Sequence, residues 1–380
     1  MKRRFMALFL SLTLILSLAP AVFAEDALPF ELDCQSAVLM EYETGKVLYN
    51  KNGSEALPPA SVTKIMTLLL TMEALEAGKL ALTDKVQVSE YAASMGGSQV
   101  FLEPGEEMTV EELIKCVVIA SANDGAVTLA EAVAGSETSF IEQMNARAAE
   151  LGMTSTHFEN ATGLDDTTEN HVTSALDIAV MSRELMSHPM ILNYSSIWMD
   201  SIRDGAFGLT NTNRLVRFYK GATGLKTGST AKAKFCISAT AKRDGMHLIA
   251  VIMGAPSRDI RNEAAKTLLD YGFANYAVYR DEGDVVGKVK VTGGVSDSVS
   301  AVKEPFSSLV SKGEASGIKT EIKLDENVAS PVKKGDIIGK ITYKASEKVI
   351  AEKDIKAGEN VDKIGFLELF LRILRVFTLS

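Results

Sequence analysis

The sequence predicts an α+β fold, in which helices pack against an antiparallel sheet, followed by a small all-β module. Two apolar strand-like runs, 235–241 and 247–253, flank Asp244-Gly245, a pair that favours a tight hairpin turn. A helical run over 261–271 follows and is placed to pack on that hairpin. From about residue 284 the chain changes to short β-rich segments broken by Gly, Pro and Ser. The 380 residues are too many for one compact domain.

Composition and charge exclude several classes of protein. Hydrophobic residues make up 46% and charged residues 23%, which is ordinary for a globular protein and excludes a wholly disordered chain. The formal net charge of −9 argues against nucleic acid as a partner, because phosphate binding needs clustered cations. The four histidines have no metal-ligand spacing, and the three cysteines contain no CxxC pair. We therefore expect neither a zinc site nor a redox dithiol.

Residues 1–24 have the pattern of a secretory signal peptide. Three basic residues at positions 2–4 precede an apolar run over 5–18, and the small-residue pattern Val22-Phe23-Ala24 follows. An uncleaved N-terminal membrane helix is the alternative, although the run is short for a full span. Removing three positive charges and no negative ones takes the net charge from −9 to −12. The rest of the chain is exported on either interpretation, and we expect its cysteines to be buried thiols without a disulfide framework.

The first domain is predicted over 25–282 and contains three further elements ahead of the sheet hairpin. The first is a hairpin over 36–49 with its turn at Thr44-Gly45. The second is an apolar helix over 61–77, which lies between Pro58-Pro59 and Gly78. The third is a helical region over 111–134, which is divided into two stretches by an interruption at 121–125. Together they provide helices that can cover the antiparallel sheet.

The second domain is predicted over 283–360 as a small β-sandwich or barrel-like module. Its strand-like segments are 285–291, 299–302, 317–324, 337–343 and 348–354. The region contains no cluster of Cys, His or aromatic residues that could carry chemistry. We interpret it as a spacer or docking module.

The tail, 361–380, is predicted as an amphipathic helix. Glu368, Arg372 and Arg375 fall at i, i+4 and i+7 and line one narrow face, and apolar residues cover the rest. Such a helix at the end of an exported chain fits a membrane surface better than a simple span, because its charges lie at mid-helix. Packing into a protein core is the alternative.

The first of three short motifs is Ser61-Val62-Thr63-Lys64, an SxxK pattern. The pattern occurs five times in the chain, but only Ser61 opens an apolar helix. Residues three apart share a helix face, so the Lys64 amine can reach the Ser61 hydroxyl. The positive end of the helix dipole and a second nearby cation would both disfavour a protonated lysine, which could then act as a general base. An N-cap serine with an exposed lysine is the alternative.

The second motif, Ser121-Ala122-Asn123, is the only SxN in the chain. It interrupts two helical stretches inside apolar surroundings, where a hydroxyl and a carboxamide could relay a proton and hold a substrate amide. A Ser/Asn helix cap is the alternative.

The third motif, Lys226-Thr227-Gly228, is the only KTG and lies among several glycines that allow close backbone approach to a ligand. Its lysine and threonine can bind an anionic group, and a strand edge here could pair with an extended peptide. A Gly-rich turn before the strand at 235 is the alternative.

The three motifs follow one another at intervals of 60 and 105 residues, the order found in active-site-serine β-lactamases and penicillin-binding proteins. The chain resembles the low-molecular-mass penicillin-binding proteins, specifically the serine-type D-alanyl-D-alanine carboxypeptidases. The resemblance covers about 30–277, and its quoted segments are 59–67 (PASVTKIMT), 121–124 (SAND), Gly152-Met153 through His157-Phe158 to Gly163-Leu164-Asp165, and 224–228 (GLKTG). A C-terminal β-module and an amphipathic anchor fit the usual ending of that family.

The resemblance implies a β-lactamase/transpeptidase-like catalytic domain and a role for each motif residue. Ser61 would be the nucleophile and Lys64 its base, and Ser121 and Asn123 would assist proton transfer and substrate binding. Lys226 with Thr227 would hold the terminal carboxylate of the substrate, and Gly228 would also belong to the substrate-binding residues. Arg261 matches an arginine of the family that lies near this carboxylate. The backbone N–H groups of Ser61 and Ser229 would form the oxyanion hole. For Arg261, a surface position at a helix start is the alternative.

The implied reaction removes the terminal D-Ala of a peptidoglycan stem peptide through a serine acyl-enzyme, with no metal or organic cofactor. β-Lactams would acylate the same serine, and the enzyme would act at the outer face of the bacterial cytoplasmic membrane in cell-wall biosynthesis. Three alternatives stay open: a β-lactamase, although Glu184-Leu185-Met186-Ser187 lacks the expected ExxLN segment; a catalytically dead peptidoglycan-binding scaffold; and transpeptidase or endopeptidase activity, which uses the same residues.

Overall fold

The computed structural model describes residues 30–378, so the predicted signal peptide lies outside the described residues. The strands, in chain order, are β1 (Ser36–Glu41), β2 (Val47–Lys51), β3 (Lys85–Gln87), β4 (Glu107–Thr109), β5 (Met199–Ile202), β6 (Phe207–Thr210), β7 (Ala222–Thr230), β8 (Lys234–Arg243), β9 (Met246–Ala255), β10 (Tyr276–Asp281), β11 (Asp284–Thr292), β12 (Ser298–Lys303), β13 (Phe306–Ser311), β14 (Ile318–Leu324), β15 (Asn327–Ala329), β16 (Ile337–Ala345) and β17 (Lys348–Ala357). The helices are α1 (Lys64–Glu76), α2 (Glu90–Ala93), α3 (Val110–Lys115), α4 (Asn123–Ala134), α5 (Glu137–Glu150), α6 (Ala175–Ser187), α7 (Met190–Ser195), α8 (Leu215–Phe218), α9 (Arg258–Asn275), α10 (Lys312–Ala315) and α11 (Phe366–Thr378). A 3-10 turn, Ala60–Thr63, precedes α1, and a π-helical turn, Cys116–Ala120, follows α3.

A five-stranded antiparallel sheet of order β2-β1-β9-β8-β7 forms the centre of the first domain. The two predicted hairpins are therefore confirmed, and β1 pairs with β9 so that they share one sheet. Strand β7 lies at an edge and contains the KTG motif, which makes the interpretation of this segment as a Gly-rich turn wrong.

Helices cover both faces of this sheet. Every residue of β9 is buried, as expected for a strand that is covered on both faces. Helix α9 packs on the face that carries Leu39 and Leu248, where a Cβ added to Gly272 would lie 2.5 Å from Leu248 Cδ1. Because successive strand residues point to opposite faces, Val38 and Val251 lie in the other core, which α1 and α6 complete. The cysteines of the chain are all buried and free, as predicted.

The 3-10 turn that carries Ser61 is held by a buried histidine. Thr63 Oγ1 donates to the Ala60 carbonyl (2.9 Å) and lies 2.8 Å from His171 Nε2. The Glu159 backbone N–H donates to His171 Nδ1 (2.9 Å). This pattern places the ring proton on Nε2 and leaves the imidazole neutral. Burial lowers the pKa of His171 to about 4, which agrees with the neutral form.

The C-terminal module is all-β, as predicted. A six-stranded sheet of order β14-β16-β17-β12-β11-β15 carries it, and β10 pairs with β13 in a separate two-stranded sheet. The module has its own apolar core, which includes Val299, Ile341 and Ile355. Strands β10 and β13 fall outside the segments predicted from the sequence, and β13 is rich in serine rather than in β-branched residues.

The two-stranded sheet β10–β13 links the module to the first domain. Arg280 of β10 forms an ion pair with Glu43, which lies in the turn between β1 and β2. The neighbouring Asp281 accepts from Lys303 Nζ (2.7 Å) and from the Tyr343 hydroxyl (3.0 Å). One strand of the linking sheet therefore contacts both parts of the chain through consecutive charged residues.

Helix α11 lies where the sequence predicts the tail helix. Those of its apolar side chains that the structure describes are exposed, with Phe366 86% and Leu367 70% exposed, so they do not pack into the core of this chain as the alternative predicted. Arg372 forms an ion pair with Asp297 of the β-module (2.8 Å). Within residues 30–378, no helix combines the length and the hydropathy that crossing a membrane requires.

Acidification is expected to destabilise the fold through His171. Its pKa falls from 6.5 to about 4 on folding, so the folded state binds the proton less tightly than the unfolded chain. The stabilisation is complete above pH 6.5 and is lost as the pH falls toward 4, a change of about 3 kcal/mol in the free energy of unfolding. Urea unfolding of the wild type and of His171→Gln at a series of pH values measures the contribution of His171 to the free energy of unfolding.

The variant is expected to be less stable than the wild type at pH 7 and to lose less stability between pH 6.5 and 4. His247, whose pKa burial also lowers to about 4, stays in both proteins and supplies a common part of the acid dependence. An identical dependence on pH in the two proteins would contradict the prediction.

Candidate active site

The three motifs meet at one cleft of about 510 Å³. The residues that line it are Ser61, Ser98, Ser121, Trp198, Thr210, Asn211, Thr212, Arg214, Thr227, Gly228, Ser229, Arg258 and Arg261. The remaining predicted site residues, Lys64, Asn123 and Lys226, are buried and hydrogen-bonded to the cleft residues or to one another. Every residue that the sequence predicts for the site therefore lies at the cleft or directly behind its wall.

Lys64 is the buried centre of the site. It begins α1, and its side chain is fully buried. The Nζ atom lies 2.9 Å from Ser61 Oγ, 2.6 Å from Asn123 Oδ1 and 2.7 Å from the Thr162 carbonyl oxygen. The alternative in which the lysine of the SxxK motif is exposed is therefore wrong.

The environment of Lys64 favours the neutral amine. Burial lowers its pKa well below 10.5, the Lys226 ammonium lowers it further, and the Asp124 carboxylate acts in the opposite direction. The second cation predicted from the sequence is therefore present as Lys226, but burial is the larger cause of the lowered pKa. A neutral amine 2.9 Å from a serine hydroxyl can accept its proton.

Ser121 occupies the break between two helical segments. It follows the π-helical turn with a left-handed backbone (φ +63°), and α4 begins only two residues later, so the break is narrower than the predicted 121–125. Lys226 Nζ donates to Ser121 Oγ (2.8 Å). Asn123 does not cap α4 with its side chain, because its Oδ1 accepts from Lys64 and its Nδ2 donates to the Gly96 carbonyl (2.6 Å).

Gly228 lets the edge strand β7 approach the serine. A Cβ at this position would lie 2.8 Å from the Ser61 backbone nitrogen and 2.9 Å from the Pro59 carbonyl oxygen. Any side chain would therefore push the strand away from the turn that carries Ser61. Ser229, the next residue, is exposed at the cleft.

The KTG side chains and Arg261 form an electropositive end of the cleft. Burial, and then the charge of Arg261, lower the pKa of Lys226 to about 7. Thr227 Oγ1 donates to Thr212 Oγ1 (2.8 Å). Arg261 is only 3% exposed and donates to Asn262 Oδ1 (2.9 Å), so the alternative of a surface arginine is wrong. Helix α9 begins at Arg258, before the predicted start, which places Arg261 in its first turn.

Several cleft residues were missed by the sequence analysis. Two further guanidinium groups, Arg214 and Arg258, line the cleft, whereas no Asp or Glu is among its described lining residues. The polar run over 210–214 is a signal that could have identified Thr212 and Arg214. Thr162 lies in the segment that resembles the family, but its contact uses the backbone carbonyl and has no side-chain signature. The arrangement suits a substrate with an anionic end.

Comparisons with known proteins agree with this geometry. Residues 22–257 match the D-alanyl-D-alanine carboxypeptidase family, and residues 276–363 match the family described as penicillin-binding protein 5, C-terminal domain. The chain is 44% identical to D-alanyl-D-alanine carboxypeptidase DacF of Bacillus subtilis, over 100% of this chain and 99% of that protein.

Solved structures agree as well. Penicillin-binding protein 5 of Haemophilus influenzae has a TM-score of 0.76 and 30% identity, covering 88% of this chain and 99% of its own. Penicillin-binding protein D2 of Listeria monocytogenes, solved in its ampicillin-bound form, has a TM-score of 0.57 and 31% identity, covering 64% of this chain and 99% of its own. The chain belongs to the D-alanyl-D-alanine carboxypeptidase family.

Proposed function

We propose that this chain removes the terminal D-alanine from peptidoglycan stem peptides, with Ser61 as the nucleophile and Lys64 as its base. The observation that carries the proposal is the buried Lys64 amine, 2.9 Å from Ser61 Oγ, at a cleft that three guanidinium groups line. A stem peptide that ends in D-Ala-D-Ala brings both an amide for the serine and a carboxylate for the cations.

Acylation begins when the Ser61 hydroxyl proton passes to the lone pair of Lys64 Nζ. Ser61 Oγ then bonds to the carbonyl carbon of the penultimate D-Ala, and the carbonyl oxygen takes the negative charge. Collapse of this tetrahedral intermediate breaks the C–N bond and leaves an ester on Ser61. The proton taken up by Lys64 is returned to the leaving nitrogen, with the Ser121 hydroxyl assisting the transfer, so D-alanine departs as a neutral amine.

The backbone N–H groups of Ser61 and Ser229 are assigned to stabilising the oxyanion. The close approach of Gly228 to the Ser61 nitrogen supports this assignment, since it brings β7 beside the turn of the nucleophile. Donors fixed in this way stabilise charge in the transition state without reorganisation.

The terminal carboxylate of the substrate is assigned to Thr227, Lys226 and Arg261. The bond between Thr227 and Thr212 fixes the orientation of the threonine hydroxyl, and the bond between Arg261 and Asn262 fixes the guanidinium. Asn123 would hold the substrate amide while its carboxamide stays anchored to Lys64. Hydrolysis then follows by the reverse proton path, as water replaces D-alanine on the acyl carbon.

β-Lactams would acylate Ser61 in the same way, and fast turnover of penicillin would indicate a β-lactamase instead. That activity requires a carboxylate to activate the deacylating water. Glu184, in the segment closest to the expected pattern, forms an ion pair with Arg147 (2.7 Å), and Asp124 accepts from the backbone N–H groups of Val100 and Leu102. Neither carboxylate lines the cleft, which favours the carboxypeptidase.

A catalytically dead scaffold is disfavoured because both lysine–serine pairs are intact: Lys64 Nζ is bonded to Ser61 Oγ, and Lys226 Nζ is bonded to Ser121 Oγ. Transpeptidase or endopeptidase activity would use the same residues, with another acceptor in the cleft. We further propose that the chain is exported and held at the outer face of the cytoplasmic membrane by α11, whose exposed apolar side chains support this assignment.

Ser61→Ala is expected to abolish both D-alanine release and covalent labelling by penicillin, because no other hydroxyl lies beside Lys64 Nζ among its described contacts. Labelling followed by gel electrophoresis, with D-alanine release from a D-Ala-D-Ala peptide, measures both activities. Ser316→Ala is the matched control, since Ser316 also begins an SxxK pattern but lies in the β-module. Labelling that persists in Ser61→Ala would contradict the assignment.

The rate constant for acylation is expected to rise with pH as Lys64 loses its proton, with a midpoint far below the usual 10.5 of a lysine. Lys64→Arg, which keeps its proton, should lower this rate by roughly a hundredfold or more. Stopped-flow acylation by a chromogenic penicillin across the pH range provides the profile. A midpoint close to 10.5 would show that the base is an ordinary exposed amine.

Removing residues 364–380 is expected to release active protein from membranes. Sedimentation of the mature chains 25–380 and 25–363 with phospholipid vesicles compares them without the N-terminal segment. The shorter chain should stay in the supernatant with its D-alanine release intact, because the deletion removes α11 and none of the described residues that line the cleft. Equal pelleting of both chains would show that another surface binds the membrane.

A further inference from the structure

We infer that Asn160 is a positioning residue that orients the Lys64 amine through the loop 160–164. The inference rests on the proposed function, because it assigns a role in the acylation step. Asn160 lies outside the three motifs, does not line the cleft and makes no direct contact with Ser61 or Lys64 among its described hydrogen bonds.

The orientation of the Lys64 amine is set by two fixed acceptors. A neutral amine has two N–H bonds and one lone pair. The Thr162 carbonyl oxygen cannot donate a proton, and Asn123 presents its Oδ1 to Lys64 because its Nδ2 donates to Gly96. Both N–H bonds are therefore taken by these acceptors. The lone pair is left facing the Ser61 hydroxyl, which is the geometry that proton transfer requires.

The peptide group that contains the Thr162 carbonyl is bonded to the Asn160 side chain, whereas the preceding Ala161 N–H donates to Glu137 Oε1 (2.9 Å). Asn160 Oδ1 accepts from the backbone N–H groups of Thr162 (3.1 Å) and Gly163 (2.7 Å) and from the Thr162 hydroxyl (3.2 Å). Asn160 Nδ2 donates to the Leu164 carbonyl oxygen (2.7 Å). These bonds close the loop on itself and fix the direction of the peptide groups within it.

The loop also has little room to adjust. Gly163 has φ +84°, and a Cβ there would lie 1.9 Å from the Ala60 carbonyl oxygen of the turn that carries Ser61. Thr67 Oγ1 of α1 donates to the Ala161 carbonyl oxygen (2.7 Å). The loop therefore contacts the turn and helix of the SxxK motif on both sides of the Thr162 carbonyl, and release of Asn160 would loosen the second acceptor of Lys64.

The charged and titratable groups around Lys64 come from three other elements. Lys226 of β7 lowers its pKa, Asp124 of α4 raises it, and the neutral His171 lies under the turn. None of them is bonded to Asn160. Substitution of Asn160 therefore leaves these charges in place, and a shift in the pH profile would report access of water to the amine.

The test compares Asn160→Ala with Asn145→Ala. Asn145 pins the chain just before the loop, since it accepts from the Phe158 N–H (2.9 Å) and donates to the Phe158 carbonyl (2.9 Å). It has no bond to residues 160–164 among the described contacts. For the full mature chain, kcat and KM for D-alanine release, the pH profile of acylation by a chromogenic penicillin, and the melting temperature are measured for both variants.

Asn160→Ala is expected to lower kcat about tenfold or more, with KM changed less than about twofold, because a misdirected base affects the reaction more than binding. The acidic limb of the pH profile of acylation should move to higher pH in this variant. Water that reaches Lys64 Nζ weakens the effect of burial, so the pKa of the amine rises. Asn145→Ala should keep the wild-type pH profile of acylation and a kcat close to that of the wild type. This should hold even if its melting temperature falls as much as that of Asn160→Ala.

Two results would overturn the inference. Wild-type kcat and pH profile in Asn160→Ala would show that the loop does not orient the amine. An equal loss of kcat in Asn160→Ala and Asn145→Ala, with the acidic limb of the acylation profile unchanged, would show that Asn160 has a purely structural role. A wild type that releases no D-alanine would instead overturn the proposed carboxypeptidase activity, and acylation by penicillin would still decide the role of Asn160.

Discussion

The burial of one amine, Lys64 Nζ, is the constraint on which the rest of the site depends. An ammonium without solvent is costly, and its charge is disfavoured further by Lys226. The amine is nevertheless fully hydrogen-bonded, by groups from three separate segments: the turn before α1, the start of α4 and the loop 160–164. These segments are far apart in the chain, so the helical core and the central sheet must bring them together before any chemistry is possible.

A second consequence of this arrangement is the charge of the cleft. The buried Lys226 and three arginines meet there beside the neutral Lys64, while the nearby Asp124 accepts from backbone N–H groups and does not line the cleft. The net charge of the whole chain is −9, so the positive potential of the cleft is local. An anionic end of a substrate would compensate Lys226 and Arg261, and would do so beside the nucleophile. Recognition of the substrate and activation of the serine are thus linked through the same pair of lysines.

The sequence predicted the side chains of the site better than its backbone. Ser61, Lys64, Ser121, Asn123 and the KTG residues were found because their side chains form three short motifs that follow one another in a known order. The Thr162 carbonyl was missed because any residue can supply a carbonyl, and Thr212 because it acts by orienting Thr227. The fold shows the same division: the alternating hairpins were predicted correctly, whereas the π-helical turn, β10 and the serine-rich β13 have no strong periodicity.

A contact made by a backbone carbonyl moves the requirement for particular residues to its neighbours. The side chain at position 162 has no role in the bond to Lys64, but the next residue must adopt φ +84°, and a Cβ there would lie 1.9 Å from the Ala60 carbonyl oxygen. These two conditions limit position 163 to glycine. It stays there only if a short amide side chain closes the loop, which is the part played by Asn160. The residues that fix the proposed base thus include two that are not among the described lining residues of the cleft, and a motif defined by catalytic side chains alone does not contain them.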